Sequence, residues 1–175
     1  YGHLPSWGLV GHSQGGMVSL HLHNFYWSPN DAVTLTAAAN RPVQSMGTPY
    51  LGVSGAGAAL DLGVLFGLGC GENFDLTLDG ANLWLSGLQA EARKDVYFYT
   101  TVYKKTLLHP RYCNLAVNFV LNWPNDGTVE YDMCQLPGAN RVSNTEGECH
   151  SVNMKWPPQT ENVNRNREIN AAAAR

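Results

Sequence analysis

The stretch WGLVGHSQGGMVSLHLHNFYW, residues 7–27, sets an apolar run against a cluster of glycines and then continues with helical character. Residues 7–10 read as a short buried strand ending in glycine, and residues 16–27 as a helix stopped by Ser28, Pro29, Asn30 and Asp31. Between them, Gly11-His12-Ser13-Gln14-Gly15 fits the pattern G-x-S-x-G in the strand-turn-helix context that this pattern requires. A strand that turns directly into a helix forces the serine into a strained backbone conformation. Side chains at Gly11 or Gly15 are expected to collide with neighbouring backbone there. Ser13 Oγ is then expected to project above a sheet, with the backbone N–H of Gln14 at the helix start aimed at the same space as an oxyanion donor.

At 175 residues the chain is long enough for one domain that buries about 70% of its unfolded surface. An apolar fraction of 44% with only 14% charged residues belongs to a folded protein rather than a disordered one. No run approaches the roughly 18 apolar residues of a transmembrane segment. A net charge of -3 offers no positive footprint for a phosphate backbone, so nucleic acid is not an expected partner. The four cysteines, Cys70, Cys113, Cys134 and Cys149, show no CxxC pairing, which removes zinc and thioredoxin-like readings. Their even number allows two disulfides, Cys134–Cys149 and Cys70–Cys113, with free buried thiols as the alternative. Closing the shorter loop would stabilise the fold by roughly 3 kcal/mol and would place the chain in an oxidising compartment, secreted or periplasmic. YGHLPSWGLV has no signal-peptide pattern, so further N-terminal coding sequence is expected upstream.

Along the rest of the chain, PVQSMGTP (residues 42–49) looks like a second core strand closed by a Gly-Thr-Pro turn, while residues 31–40 are ambiguous. Residues 51–87 are rich in Gly, Ala and Leu and read as short helices and loops. DVYFYTTVYK (residues 95–104) is the strongest strand signal. NDGTVEY then gives a turn and a short strand, and residues 168–175 carry helix formers. With no repeat and no linker, one α/β domain over residues 1–175 is the expected organisation.

A serine hydroxyl is a poor nucleophile unless a histidine, itself oriented by a carboxylate, accepts its proton. Of the six histidines, His12 lies inside the turn and is expected to point away from Ser13. His21 and His23 fall on different helix faces without the i, i+4 spacing of a zinc pair. His3 precedes the strand, and His109 sits in an apolar, proline-containing stretch. His150, in EGECHSVN, follows the last strong strand and leaves several carboxylates between itself and Ser13, as the order Ser, acid, His requires. Asp126 in WPNDGTVEY is the candidate acid, with Asp132 in reserve, although Asn-Asp-Gly is also ordinary hairpin-turn chemistry. Asp61, Asp75, Asp79 and Asp95 are expected at the wrong end of the sheet.

With these elements in order, the chain resembles the C-terminal part of secreted bacterial lipases and esterases of the α/β-hydrolase superfamily. GHSQGG is similar to their nucleophile elbow, QSMGTPYLG (residues 44–52) to the element that follows it, NDGTV to their acid loop and CHSVN to their histidine loop. The resemblance implies a partial α/β-hydrolase fold, a mostly parallel sheet with flanking helices and a lid-like insertion over residues 51–90. It also implies Ser13 as nucleophile, His150 as base and Asp126 as acid, acting on an apolar acyl ester substrate. No cofactor is implied. Calcium is not expected, because Ser151, Val152 and Asn153 follow His150 where many such lipases carry an acidic ligand.

The departure is at the front, where only YGHLPS precedes the first strand. The loop that supplies the first oxyanion N–H is missing, a loss of about 3 kcal/mol of transition-state stabilisation. The strand over residues 7–10 becomes an unpaired apolar edge, so a missing N-terminal segment or a second chain is expected to complete the sheet. The leading expectation is a serine ester hydrolase working through an acyl-enzyme. The alternative is a non-catalytic fragment or assembly subunit that keeps hydrolase architecture.

Overall fold

The computed structural model describes residues 8–27, 42–54, 56, 74–102, 121–151 and 158–174. The opening stretch forms β1 (Leu9–His12) and α1 (Gln14–Leu22), which runs on into a π-helical turn over His23–Trp27. β2 (Val43–Met46) and β3 (Val96–Val102) arise from the two other strand signals. β4 (Asn140–Glu146) completes a four-stranded, all-parallel sheet of order β1-β2-β3-β4. α2 (Leu78–Ser86), α3 (Ala90–Lys94), α4 (Pro158–Glu161) and α5 (Val163–Ala173) flank it. The α/β class with a parallel sheet is as the sequence reads. Among the described residues β1 pairs only with β2 and forms one edge of the sheet.

β3 is buried along its whole length because both faces of the sheet are covered. Its side chains alternate: Val96 and Phe98 join Met17, Leu20, Val43 and Tyr50, whereas Tyr97 and Tyr99 join Met46, Ile169 and Ala173. Each buried aromatic contributes roughly 4 kcal/mol of transfer free energy. This strand therefore fixes helices on both faces and holds the carboxyl ends of its neighbours level.

Several expectations need correction. β4 comes from NRVSNTE, which has no apolar alternation; it is recruited by pairing with β3 and by Asn140 Nδ2, which donates to the carbonyls of Lys94 and Val96 at 2.6 and 3.1 Å. The short strand expected after Asn-Asp-Gly is only a bridge between Asn125 and Glu130. α5 starts ahead of its helix-forming residues because the Asn162 side chain accepts from Arg165 N at 3.0 Å and caps it. Of the expected lid over residues 51–90, residues 55 and 57–73 lie outside the described residues. Its described end forms α2, which is capped by Thr77 and stacked through Trp84 on Tyr50.

The Cys134–Cys149 bridge is not formed: Cys134 is a free, buried thiol. Burial, and after it the charges of Asp126 and Glu130, push this thiol well above its ordinary range, so it is unreactive. Cys149 is disulfide-bonded, but not to Cys134, and Cys70 and Cys113 fall outside the described residues.

The glycine reading also shifts. A Cβ at Gly11 would lie 2.5 Å from the Gly15 carbonyl, and one at Gly16 would lie 2.0 Å from Thr48 Oγ1 and 2.9 Å from Ser45 Cβ, but a Cβ at Gly15 meets nothing within 4 Å. The close approach between strand and helix therefore falls on Gly11 and Gly16. Gly15→Ala is expected to raise unfolding free energy by about 0.5–1 kcal/mol through helix propensity. Gly11→Ala and Gly16→Ala should lower it by about 2 kcal/mol or more. Denaturant melts showing equal losses at all three positions would contradict this packing.

Candidate functional site

All strands being parallel, their carboxyl ends open on one edge of the sheet, and the candidate residues gather there. Ser13 follows β1 with φ 56° and ψ -135°, the one non-glycine residue of positive φ among the described residues. Such a conformation costs of order 1–3 kcal/mol; it is held by Ser13 N–H donating to Met46 O at 3.0 Å. The serine side chain makes no capping bond to α1, so Oγ is not spent on the helix.

Asp126, 1% exposed, is held by the turn it belongs to. Its backbone N–H donates to Val129 O at 3.0 Å, Gly127 takes φ 89°, and Gly127 N–H donates to Asn125 Oδ1 at 2.9 Å. One carboxylate oxygen accepts from Thr128 N at 3.0 Å and Val129 N at 2.7 Å. The other accepts from Gln159 Nε2 at 2.7 Å and meets His150 Nδ1 at 2.7 Å. The hairpin chemistry of Asn-Asp-Gly is thus the means by which Asp126 is aimed at His150. A second buried carboxylate, Glu130, braces the same loop by accepting from Ser54 Oγ, Ser54 N at 3.1 Å, and Asn122 N and Nδ2 at 2.9 and 3.0 Å.

His150 is also tied by its backbone, with N–H donating to Asp126 O at 2.8 Å. Among the described residues no hydrogen bond joins Ser13 Oγ to His150. His12, inside the turn, has partners the sequence does not announce. Its ring packs on His150 at 4.5 Å between centroids, and its Nε2 lies 3.0 Å from Gln159 Oε1. Burial, then the neighbouring His150, lower the His12 imidazole from 6.5 to about 4, against the opposite pull of Gln159 and Asp126.

The other histidines and carboxylates, the reserve candidate Asp132 among them, lie elsewhere or outside the described residues. Asp95 sits before β3 and pairs with His23 at 2.9 Å, His21 accepts from Trp84 Nε1, and Asp75, Asp79 and Asp132 are exposed. His3, His109 and Asp61 lie outside the described residues. Gln14 opens α1 and lines a groove of about 480 Å³ with Met17, Val18, Tyr26, Leu83 and Trp84. The sequence reading missed Gln159, which is fully buried although it stands in the polar run PPQTEN, where no pattern distinguishes it.

The fold, a parallel sheet flanked by helices, is of the α/β-hydrolase type. The chain belongs to the family of the conditioned medium factor C-terminal domain, which matches residues 2–173. It is 45% identical over 163 residues to the conditioned medium factor of Dictyostelium discoideum, covering 93% of this chain but only 23% of that relative's length. Among solved structures it is similar to the mature Bacillus licheniformis lipase BlEst2, with a TM-score of 0.60 at 16% identity over 91% of this chain and 63% of that one. It is also similar to the Staphylococcus hyicus lipase, with a TM-score of 0.58 at 14% identity over 95% and 69% of the two chains.

These findings overturn the family and function expected from the motifs. The likeness to lipases is one of fold alone, and the family is that of a conditioned medium factor, so the readings as a bacterial lipase, as an ester hydrolase and as an enzyme are withdrawn. Fold-level similarity carries no activity with it. The secreted half of the expected location agrees with a relative named for conditioned medium; the periplasmic half has no support. Among the described residues no helix is long and apolar enough to cross a membrane.

The depressed His12 has a testable consequence. Above pH 6.5 it is neutral folded or unfolded; as pH falls from 6.5 towards 4, only the unfolded chain takes up the proton, so stability is lost. The loss is expected to reach roughly 2 kcal/mol across that window. Glu148, whose carboxyl is raised chiefly by burial, acts with the opposite sign, but equally in wild type and variant. Denaturant melts of wild type and His12→Asn against pH should therefore differ by the His12 contribution, and parallel curves would contradict it.

Proposed function

We propose that this chain is a non-catalytic domain of a longer, released factor, and that hydrolase architecture serves in it as a scaffold for recognition outside the cell. The observation that carries this reading is the 45% identity, over nearly the whole chain, to a conditioned medium factor. The geometry is compatible with it: the Asp126–His150 pair is immobilised by hydrogen bonds, and Ser13 is presented at the same edge without a bond to His150. Gln14, which lines the α1–α2 groove, and the neighbouring Ser13 would then meet a ligand through hydrogen bonds and not through a covalent step, with the buried Asp126–His150 pair as their internal support. Gly11, His12 and Gly15 shape the turn that presents them. The rest of the longer protein, rather than an acyl ester, is the natural neighbour of this domain.

Fluorophosphonate treatment followed by intact mass analysis tests the reading, alongside turnover of short- and medium-chain aryl esters. The expected result is no adduct on Ser13 and no turnover above buffer. An adduct on Ser13 that disappears in His150→Ala would overturn it.

A further inference from the structure

Gln159 carries no charge and no recognised motif, yet it is fully buried and its side chain reaches every layer of the site. Its amide Nε2 donates to Asp126 Oδ2 at 2.7 Å and to Thr101 Oγ1, and its backbone carbonyl accepts from Tyr99 Oη. Its Oε1 lies 3.0 Å from His12 Nε2. The orientation of this amide is dictated by its neighbours: an acceptor at Asp126 demands the NH2 edge, which leaves the oxygen facing His12. An oxygen facing an imidazole nitrogen at this distance requires a proton on that nitrogen, so His12 Nε2 is the protonated one.

The niche is fitted to this side chain. Gly47, with φ 57°, forms its wall, and a Cβ there would come within 2.3 Å of Gln159 Oε1. The helix behind it is anchored: Asn166 Nδ2 donates to Thr160 O at 2.8 Å, and Ile169 and Ala173 of α5 are buried against Tyr97 and Tyr99.

We infer that Gln159 is a positioning residue, whose amide couples His12 to Asp126 and locks His12 as its neutral Nε2–H tautomer against His150, so that the C-terminal helices set the geometry of the Asp126–His150 pair. The groups facing His12 are His150, Asp126 and Gln159; a charge on His12 would face the His150 ring at 4.5 Å. The inference concerns the internal order of the pair and fails separately from the non-catalytic reading, which is decided by labelling at Ser13.

Long-range ¹⁵N–¹H correlation spectra of the histidine rings in the intact chain test it. At neutral pH, His12 is expected as the Nε2–H tautomer; the Nδ1–H tautomer in wild type would overturn the inference without any variant. Gln159→Met, similar in length but unable to bond, should give mixed His12 tautomers and loss of the slowly exchanging His150 Nδ1 proton. A folded Gln159→Met with unchanged tautomer and His150 proton would mark Gln159 as packing only and overturn the role.

Discussion

The carboxylate of Asp126 is the point on which the functional edge depends. It is buried, and its two oxygens meet two backbone N–H groups of its own turn, the Gln159 amide and the His150 ring. A buried carboxylate lacking these partners would cost several kcal/mol, and the surrounding segments supply them. Three pieces of chain far apart in sequence, the loop after β3, the loop after β4 and the C-terminal helices, are thereby joined at one side chain. Ser13 is brought to the same edge by a different constraint, the contact of α1 with β1 and β2 that leaves room only for hydrogen at Gly11 and Gly16.

The turn and its two flanking elements were legible because their signals are local. An apolar run, glycines and a helical run need only the sterics of the strand-to-helix turn to be read, and β3 announces itself by aromatic and β-branched density. Asp126 and His150 were legible as candidates through chain order and turn chemistry, and the structure brings those two together at 2.7 Å. What could not be read was whatever depends on distant partners. β4 is polar and exists because β3 offers it a ladder, α5 begins at a cap rather than at its best helix formers, and Gln159 and His12 acquire their roles only across gaps of sequence that no local pattern spans. The cysteine pairing was misread for a related reason: Cys149 is in a disulfide, but a short spacing says nothing about direction, and Cys134 is held in the interior as a free thiol.

The same distinction explains why the motif misled on function. G-x-S-x-G, NDG and CH loops in the right order report the geometry of a fold edge, and that geometry is present. Activity is a further property of a particular family, and at 14–16% identity to solved lipases the resemblance reaches only the backbone arrangement. The family is the one shared with conditioned medium factor, at 45% identity, and within it the Asp126 network keeps this polar cluster in order.

The measurement closest to this claim is the unfolding free energy of Asp126→Ala, read together with the dispersion of the His150 ring signals. If Asp126 is the node of the edge, stability falls by about 3 kcal/mol or more, because the partners of a buried carboxylate are left unsatisfied, and the His150 ring loses its fixed environment. A loss within about 0.5 kcal/mol, the range of an ordinary surface substitution, with unchanged His150 signals would contradict the claim.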